Sequence, residues 1–133
     1  MNKNTYDIFL DDIKIGTTEL ENADAPMGVV FGSVKLFEIS SGYEFLKRYC
    51  VKNGIEIFAD FPDDQLIATS NIQTLKIISS NGIEIKGQAV NINGMDSDVF
   101  EITVLGIPYP FFEKQFPHHV EAYKNQNYFK NDQ

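Results

Sequence analysis

His118 and His119 stand side by side with Glu113 and Glu121 close by, a grouping that invites a metal or acid–base reading. Adjacent residues on a helix point about 100° apart, so two neighbouring imidazoles do not converge on one ion. A zinc helix sets its histidines four apart, as in His-Glu-x-x-His, and that spacing is missing here. Histidine titrates near neutrality, which is the sole positive argument for His118 or His119 as an acid–base group in an enzyme. Cys50 falls on the apolar stripe of a predicted helix, toward its C-terminal end. The dipole and burial both raise a thiol pKa there, so Cys50 reads as core and not as a nucleophile. Asn91 to Asp98 has the composition of a calcium loop without its spacing. With Asn91 third the first ligand is Ala89, and with Asn91 first the glycine comes two positions early. Gly28-x-x-x-Gly32 lacks the Gly-Lys-Ser/Thr of a phosphate loop, and no Gly-x-Ser-x-Gly elbow occurs. These residues predict no catalytic group, no metal site and no cofactor.

Carboxylates recur in pairs at Asp11-Asp12, Asp63-Asp64 and Asp96/Asp98. Each pair falls at a predicted turn, where Asp is favoured because its side chain bonds the local backbone. Taken together, the acidic loops would make a face for a basic partner. The residues predicted to bind that partner are Asp63, Asp64, Asp96, Asp98 and Glu101. Tyr109, between Pro108 and Pro110 and followed by Phe111 and Phe112, lies on a stiff, extended stretch. It would either cover an open end of the sheet or anchor a partner, since Tyr is enriched at interaction hot spots.

The elements that must position these residues are mostly strands. Tyr6 to Leu10 and Ile13 to Ile15 read as a hairpin turning at Asp11-Asp12, with Ile13 and Ile15 on one face. Glu21 to Pro26 reads as a polar turn, and Met27 to Ile39 as a long extended stretch. Gly28 and Gly32 mark a bulge, bend or close backbone approach within it. Ser41-Gly42-Tyr43-Glu44 has capping-box spacing. Phe45, Leu46, Tyr49 and Cys50 follow as an apolar stripe, and Asn53-Gly54 is the stop. Ile55 to Phe58 reads as a strand running into a turn at Pro62-Asp63-Asp64. Leu75 to Ser79 and Ile83 to Lys86 flank Asn81-Gly82, a hairpin signal. Gly87 accommodates a change of apolar phase before Val90 and Ile92. Asn93 to Asp98 reads as a loop before a strand over Val99 to Ile107. Phe111 to Phe116 and His118 to Lys124 read as two short helical turns interrupted by Pro117, followed by a fraying tail. The predicted fold is a single α+β domain over 1–133. It has a mainly antiparallel sheet of six to eight strands, a sandwich or partly open barrel, with one principal helix and short C-terminal helical turns.

Composition narrows the partners. Among 133 residues, 43% apolar and 13% aromatic, there are 11 Phe and 6 Tyr, enough for a packed core. A formal charge of −8 and a pI near 4.6 leave no basic stripe for nucleic acid. No apolar run reaches the roughly 20 residues of a membrane span, and Met1 to Tyr6 lack a signal-peptide core. A single cysteine fits a reducing compartment, so a cytoplasmic location is expected.

The stretch Ile15 to Gly32, together with Gly106-Ile107-Pro108-Tyr109-Pro110 and Phe116-Pro117-His118-His119, resembles small bacterial proteins without an assigned activity. In size, acidity and β-rich layout the whole chain is similar to immunity proteins of polymorphic or contact-dependent toxin systems. That resemblance implies a non-catalytic domain that neutralises a basic toxin such as a nuclease. The alternatives are an oligomerising structural component, built on an exposed strand edge or the aromatic loop, and a small-molecule enzyme using His118 or His119.

Overall fold

The computed structural model describes residues 5–131. The first hairpin forms as its sequence predicts, β1 (Tyr6–Leu10) turning into β2 (Ile13–Thr18). Asp11 and Asp12 have φ of 54° and 66°, the doubly left-handed turn whose twist matches the flanking strands. Parity along β2 departs from expectation. The register shifts between Ile8 and Phe9, so Ile8 faces Gly16 while Phe9 faces Lys14. This bulge buries Ile15 but leaves Ile13 67% exposed.

The predicted polar turn at 21–26 contains a short strand, β3 (Asn22–Asp24), paired with β4 (Val29–Leu36). A single 3₁₀ turn over Ala25–Met27 joins them and ends at Gly28, whose φ is 68°. A Cβ at Gly28 would sit 2.4 Å from the Ile107 carbonyl oxygen, so the backbone there needs glycine on both counts.

The helix α1 (Gly42–Asn53) begins and ends where its caps predict. Ser41 is extended and its hydroxyl accepts from the Glu44 amide, while Gly54 takes the left-handed conformation after the last turn. Tyr43, Leu46 and Cys50 are buried along one stripe. The strand after it runs later than expected, as β5 (Ile57–Phe61), and a 3₁₀ turn over Pro62–Asp64 leads into β6 (Leu66–Thr69), which had no sequence signal. Then come β7 (Leu75–Ser79), β8 (Ala89–Met95) and β9 (Phe100–Leu105). The Asn81-Gly82 turn is present, but Ile83 to Lys86 form a single bridge, Ile78 to Glu84, in place of a full strand. Asn93 to Met95 belong to β8, so the predicted polar loop shrinks to the turn before β9.

The C-terminal turns are α2 (Phe111–Gln115) and α3 (Pro117–Asn131). The tail expected to fray after Lys124 is thus helical to Asn131, and its last two residues lie outside the described range.

Among the described residues nine strands join one antiparallel sheet, ordered β5-β6-β8-β9-β4-β2-β1-β7, with β3 beside β4. The sheet curls without closing. The Ile72 amide donates to the Val90 carbonyl at 2.9 Å, bringing the approach to β7 against β8. Alternate residues point inward, among them Ile8, Ile77, Ile92, Ile102 and Val104, all buried. Leu46 and Cys50 of α1, Phe112 of α2 and Phe116 between α2 and α3 complete that core.

Candidate partner-binding face

Four of the six residues predicted to bind a partner come together, and the sheet order explains why. β6 and β8 are neighbours, with Leu66 opposite Met95. The turn at Pro62–Gln65 and the turn at Asp96–Val99 therefore meet, and the Asp96 amide donates to the Gln65 carbonyl at 3.2 Å. Asp63, Asp64 and Asp98 are exposed at this end. Among the described residues, none of the three side chains forms an ion pair or hydrogen bond.

Asp96 is placed differently. One carboxylate oxygen accepts from the Tyr43 amide at 2.9 Å, and the other accepts from the Ser41 hydroxyl. It therefore clamps the N-terminus of α1, where an anion suits both the free amides and the dipole. Glu101 is half-buried on the outer face of β9, between Asn93 and Ser33 on the adjoining strands.

Tyr109 lies at the other end of β9, about 17 Å of strand away at ~3.4 Å per residue. Its hydroxyl donates to the Ala25 carbonyl at 2.7 Å, and its ring stacks on Phe112 with centroids 5.2 Å apart. It remains 47% exposed, and the Tyr109–Pro110 bond is cis. Tyr109 thus ties the C-terminal segment to the 25–27 turn and does not share a surface with the acidic turns.

The histidines belong to that second end. The rings of His118 and His119 are 4.2 Å apart, and an imidazole nitrogen of His119 lies 2.8 Å from the Leu20 carbonyl oxygen. Burial, and secondarily the neighbouring His119, hold His118 below the ordinary histidine pKa. Among the described residues neither imidazole hydrogen-bonds a carboxylate, and no three His, Cys, Asp or Glu side chains converge as metal ligands would. Cys50 is fully buried, and desolvation raises its thiol pKa.

A half-buried triad secures α1 to the β5–β6 side of the face. The Tyr43 hydroxyl donates to Asp60 at 2.5 Å, and Lys47 reaches Asp60 at 3.2 Å and the Tyr43 oxygen at 3.2 Å. The Tyr43 hydrogen bond, then Lys47, lower the Asp60 pKa, while the Asp60 contact raises that of Tyr43. Beside the triad lies a cleft of about 490 Å³ between α1 and the Pro62–Gln65 turn, lined by Glu44, Lys47, Arg48 and Val51.

Two features escaped the motif-level reading. First, no lysine or arginine occurs from 53 to 75 or from 87 to 113, although the chain has eleven. Those spans hold β5, β6, β8 and β9, four consecutive strands of the sheet. Their charged residues, from Glu56 to Asp64 and from Asp96 to Glu101, are all acidic. Second, Phe58 and Phe61 on β5 are 78% and 54% exposed. A register shift between Ile57 and Ala59 displaces Phe58 from the ladder, and the strand lies at the sheet edge.

Fold and face together define a curled, open antiparallel sheet with one capped helix and four neighbouring strands that bear no lysine or arginine. Comparison with protein-family models, curated proteins and solved structures finds no match for the chain. No described helix is long and apolar enough to cross a membrane.

Proposed function

We propose that this domain is a non-catalytic binding module for a basic protein, captured over the turns that hold Asp63, Asp64 and Asp98. The supporting observation is the contiguous run of four strands that bears carboxylates and no lysine or arginine. The exposed carboxylates of its turns attract an oppositely charged protein and repel acidic ones. Among the described residues these exposed carboxylates have no ion-pair or hydrogen-bond partner, which leaves them open to an incoming cation. The partner class that fits is a basic toxin domain, such as a nuclease, which the module would cover and neutralise.

The test begins with a low-salt pull-down that identifies a stoichiometric partner. Its affinity is then measured for the wild type, for D63N/D64N/D98N, and for Glu113→Gln at the far end. Exposed charge pairs contribute about 0.2–1 kcal/mol each, so three neutralised together weaken binding by about threefold to a hundredfold. The control should bind like the wild type. Equal affinity of the triple variant and the wild type would remove this face from the interaction.

The exposed Phe58 and Phe61 side chains also fit a second reading, self-association through an apolar contact that leaves the β5 edge unpaired. In that case the mass in solution rises with concentration, and the Phe58 and Phe61 side chains are its first targets.

A further inference from the structure

We infer that the β5 edge receives an extended, cationic segment of the partner as an added strand, with Phe58 and Phe61 as its apolar anchors. The inference rests on the basic-partner reading and adds its mode of docking.

The two edges of the sheet differ. β7 is covered, since the Ser79 amide donates to Ile83 and the Ile85 amide donates to Ile77, each at 2.8 Å. β5 pairs with β6 on one side, and among the described residues no backbone hydrogen bond reaches its other side. An edge of that kind offers main-chain donors and acceptors to an incoming strand, and alternate side chains then supply specificity. Natural edges are guarded by bulges, charges and proline. Within β5 the guard is the bulge at Phe58, for Asp60 is taken up by Tyr43 and Lys47 and Pro62 lies past the strand's end.

Charge decides the occupant. A second copy of β5 laid antiparallel would bring only carboxylates together, because its flanks carry Glu56 on one side and Asp63 and Asp64 on the other. Like charges directly opposed in a ladder are destabilising. A segment alternating lysine or arginine with apolar residues meets the opposite situation. Its cations lie against the acidic flanks, and its apolar side chains cover Phe58 and Phe61, which are among the most exposed large apolar groups of the chain.

The probe is a peptide alternating Lys and Val, long enough to pair with the five residues of β5. It is compared with an oligolysine of equal charge and with the same Lys–Val peptide N-methylated at alternate amides. Binding to the intact protein at low ionic strength is followed by amide hydrogen exchange. The Lys–Val peptide should slow exchange within Ile57–Phe61 by about tenfold or more, in proportion to site occupancy, and the N-methylated form should not. F58A/F61A should weaken that binding by roughly tenfold, as expected for apolar anchors, with an unchanged urea midpoint because both side chains are largely solvent-exposed. If oligolysine binds equally and β5 exchange is unaltered, the added-strand mode is overturned while the basic-partner reading stands. If no cationic peptide binds, both fall.

Discussion

Asp96 offers the sharpest separation of a structural carboxylate from a binding one. Its oxygens accept from the Tyr43 amide at 2.9 Å and from the Ser41 hydroxyl, which itself accepts from the Glu44 amide at 3.1 Å. Ser41→Ala removes an N-cap and should cost about 1 kcal/mol. Asp96→Ala removes a charge-assisted bond to the helix amide, the acceptor that orients Ser41, and the anion at the dipole's positive end. With about 1.5–3 kcal/mol for a hydrogen bond to a charged group and a few tenths more for the dipole, the expected loss is about 2–3 kcal/mol. Asp96→Asn keeps an acceptor of the same shape and should lose about 1 kcal/mol. The two sites share one hydroxyl, so the double variant should fall short of additivity by about 0.5–1 kcal/mol. Urea unfolding monitored by circular dichroism gives all four values. At roughly 3 °C per kcal/mol for a chain of this size, D96A should also melt about 6–9 °C lower. An Asp96→Ala variant within about 0.5 kcal/mol of wild type, or a strictly additive double variant, would refute the clamp.

Other outcomes follow from the same geometry. Gly28→Ala places a Cβ 2.4 Å from the Ile107 oxygen at a φ of 68°, and should cost about 2 kcal/mol or more in urea midpoint measurements. His118 has a folded-state pKa below its ordinary value of 6.5, so its neutral form is favoured by folding. Its contribution is present above that value and is lost as pH falls through the lowered one. His118→Gln should therefore flatten the stability profile below pH 6.5, and an imidazole titration by NMR at or above 6.5 would contradict this. Tyr109→Phe loses the bond to Ala25 and should destabilise by about 1 kcal/mol, with partner affinity unchanged because Tyr109 lies at the opposite end from the acidic turns.

The elements legible in the sequence are those whose signals are local. α1 has its Ser cap, apolar stripe and glycine stop within fourteen consecutive positions, from Ser41 to Gly54. The Asp11-Asp12 turn and the alternation of Phe100, Ile102 and Val104 are equally self-contained. β6 was invisible because it has four residues, and one of its two inward side chains is Thr69. That hydroxyl bonds both the amide and the carbonyl of Ile92, a tertiary satisfaction without a sequence period. β3 is polar and exists through its register with β4.

The face divides along the same line. Its turns were readable from Asp chemistry, yet the readings of individual residues followed pairing that lies far away in the chain. Asp96 looked like a surface loop acid because nothing local reveals that Ser41, 55 positions earlier, sits above it. Phe58 falls at the end of the strand read over Ile55 to Phe58, and nothing local shows the bulge and edge position of β5 that turn it outward. The run of strands without lysine or arginine was hidden for a simpler reason. A net charge of −8 describes the whole chain, while its distribution acquires meaning only when β6 pairs with β8 and joins two separate lysine-free spans into one surface. An acidic stretch of sheet therefore arises from topology acting on where lysines are left out, and it needs no motif at all.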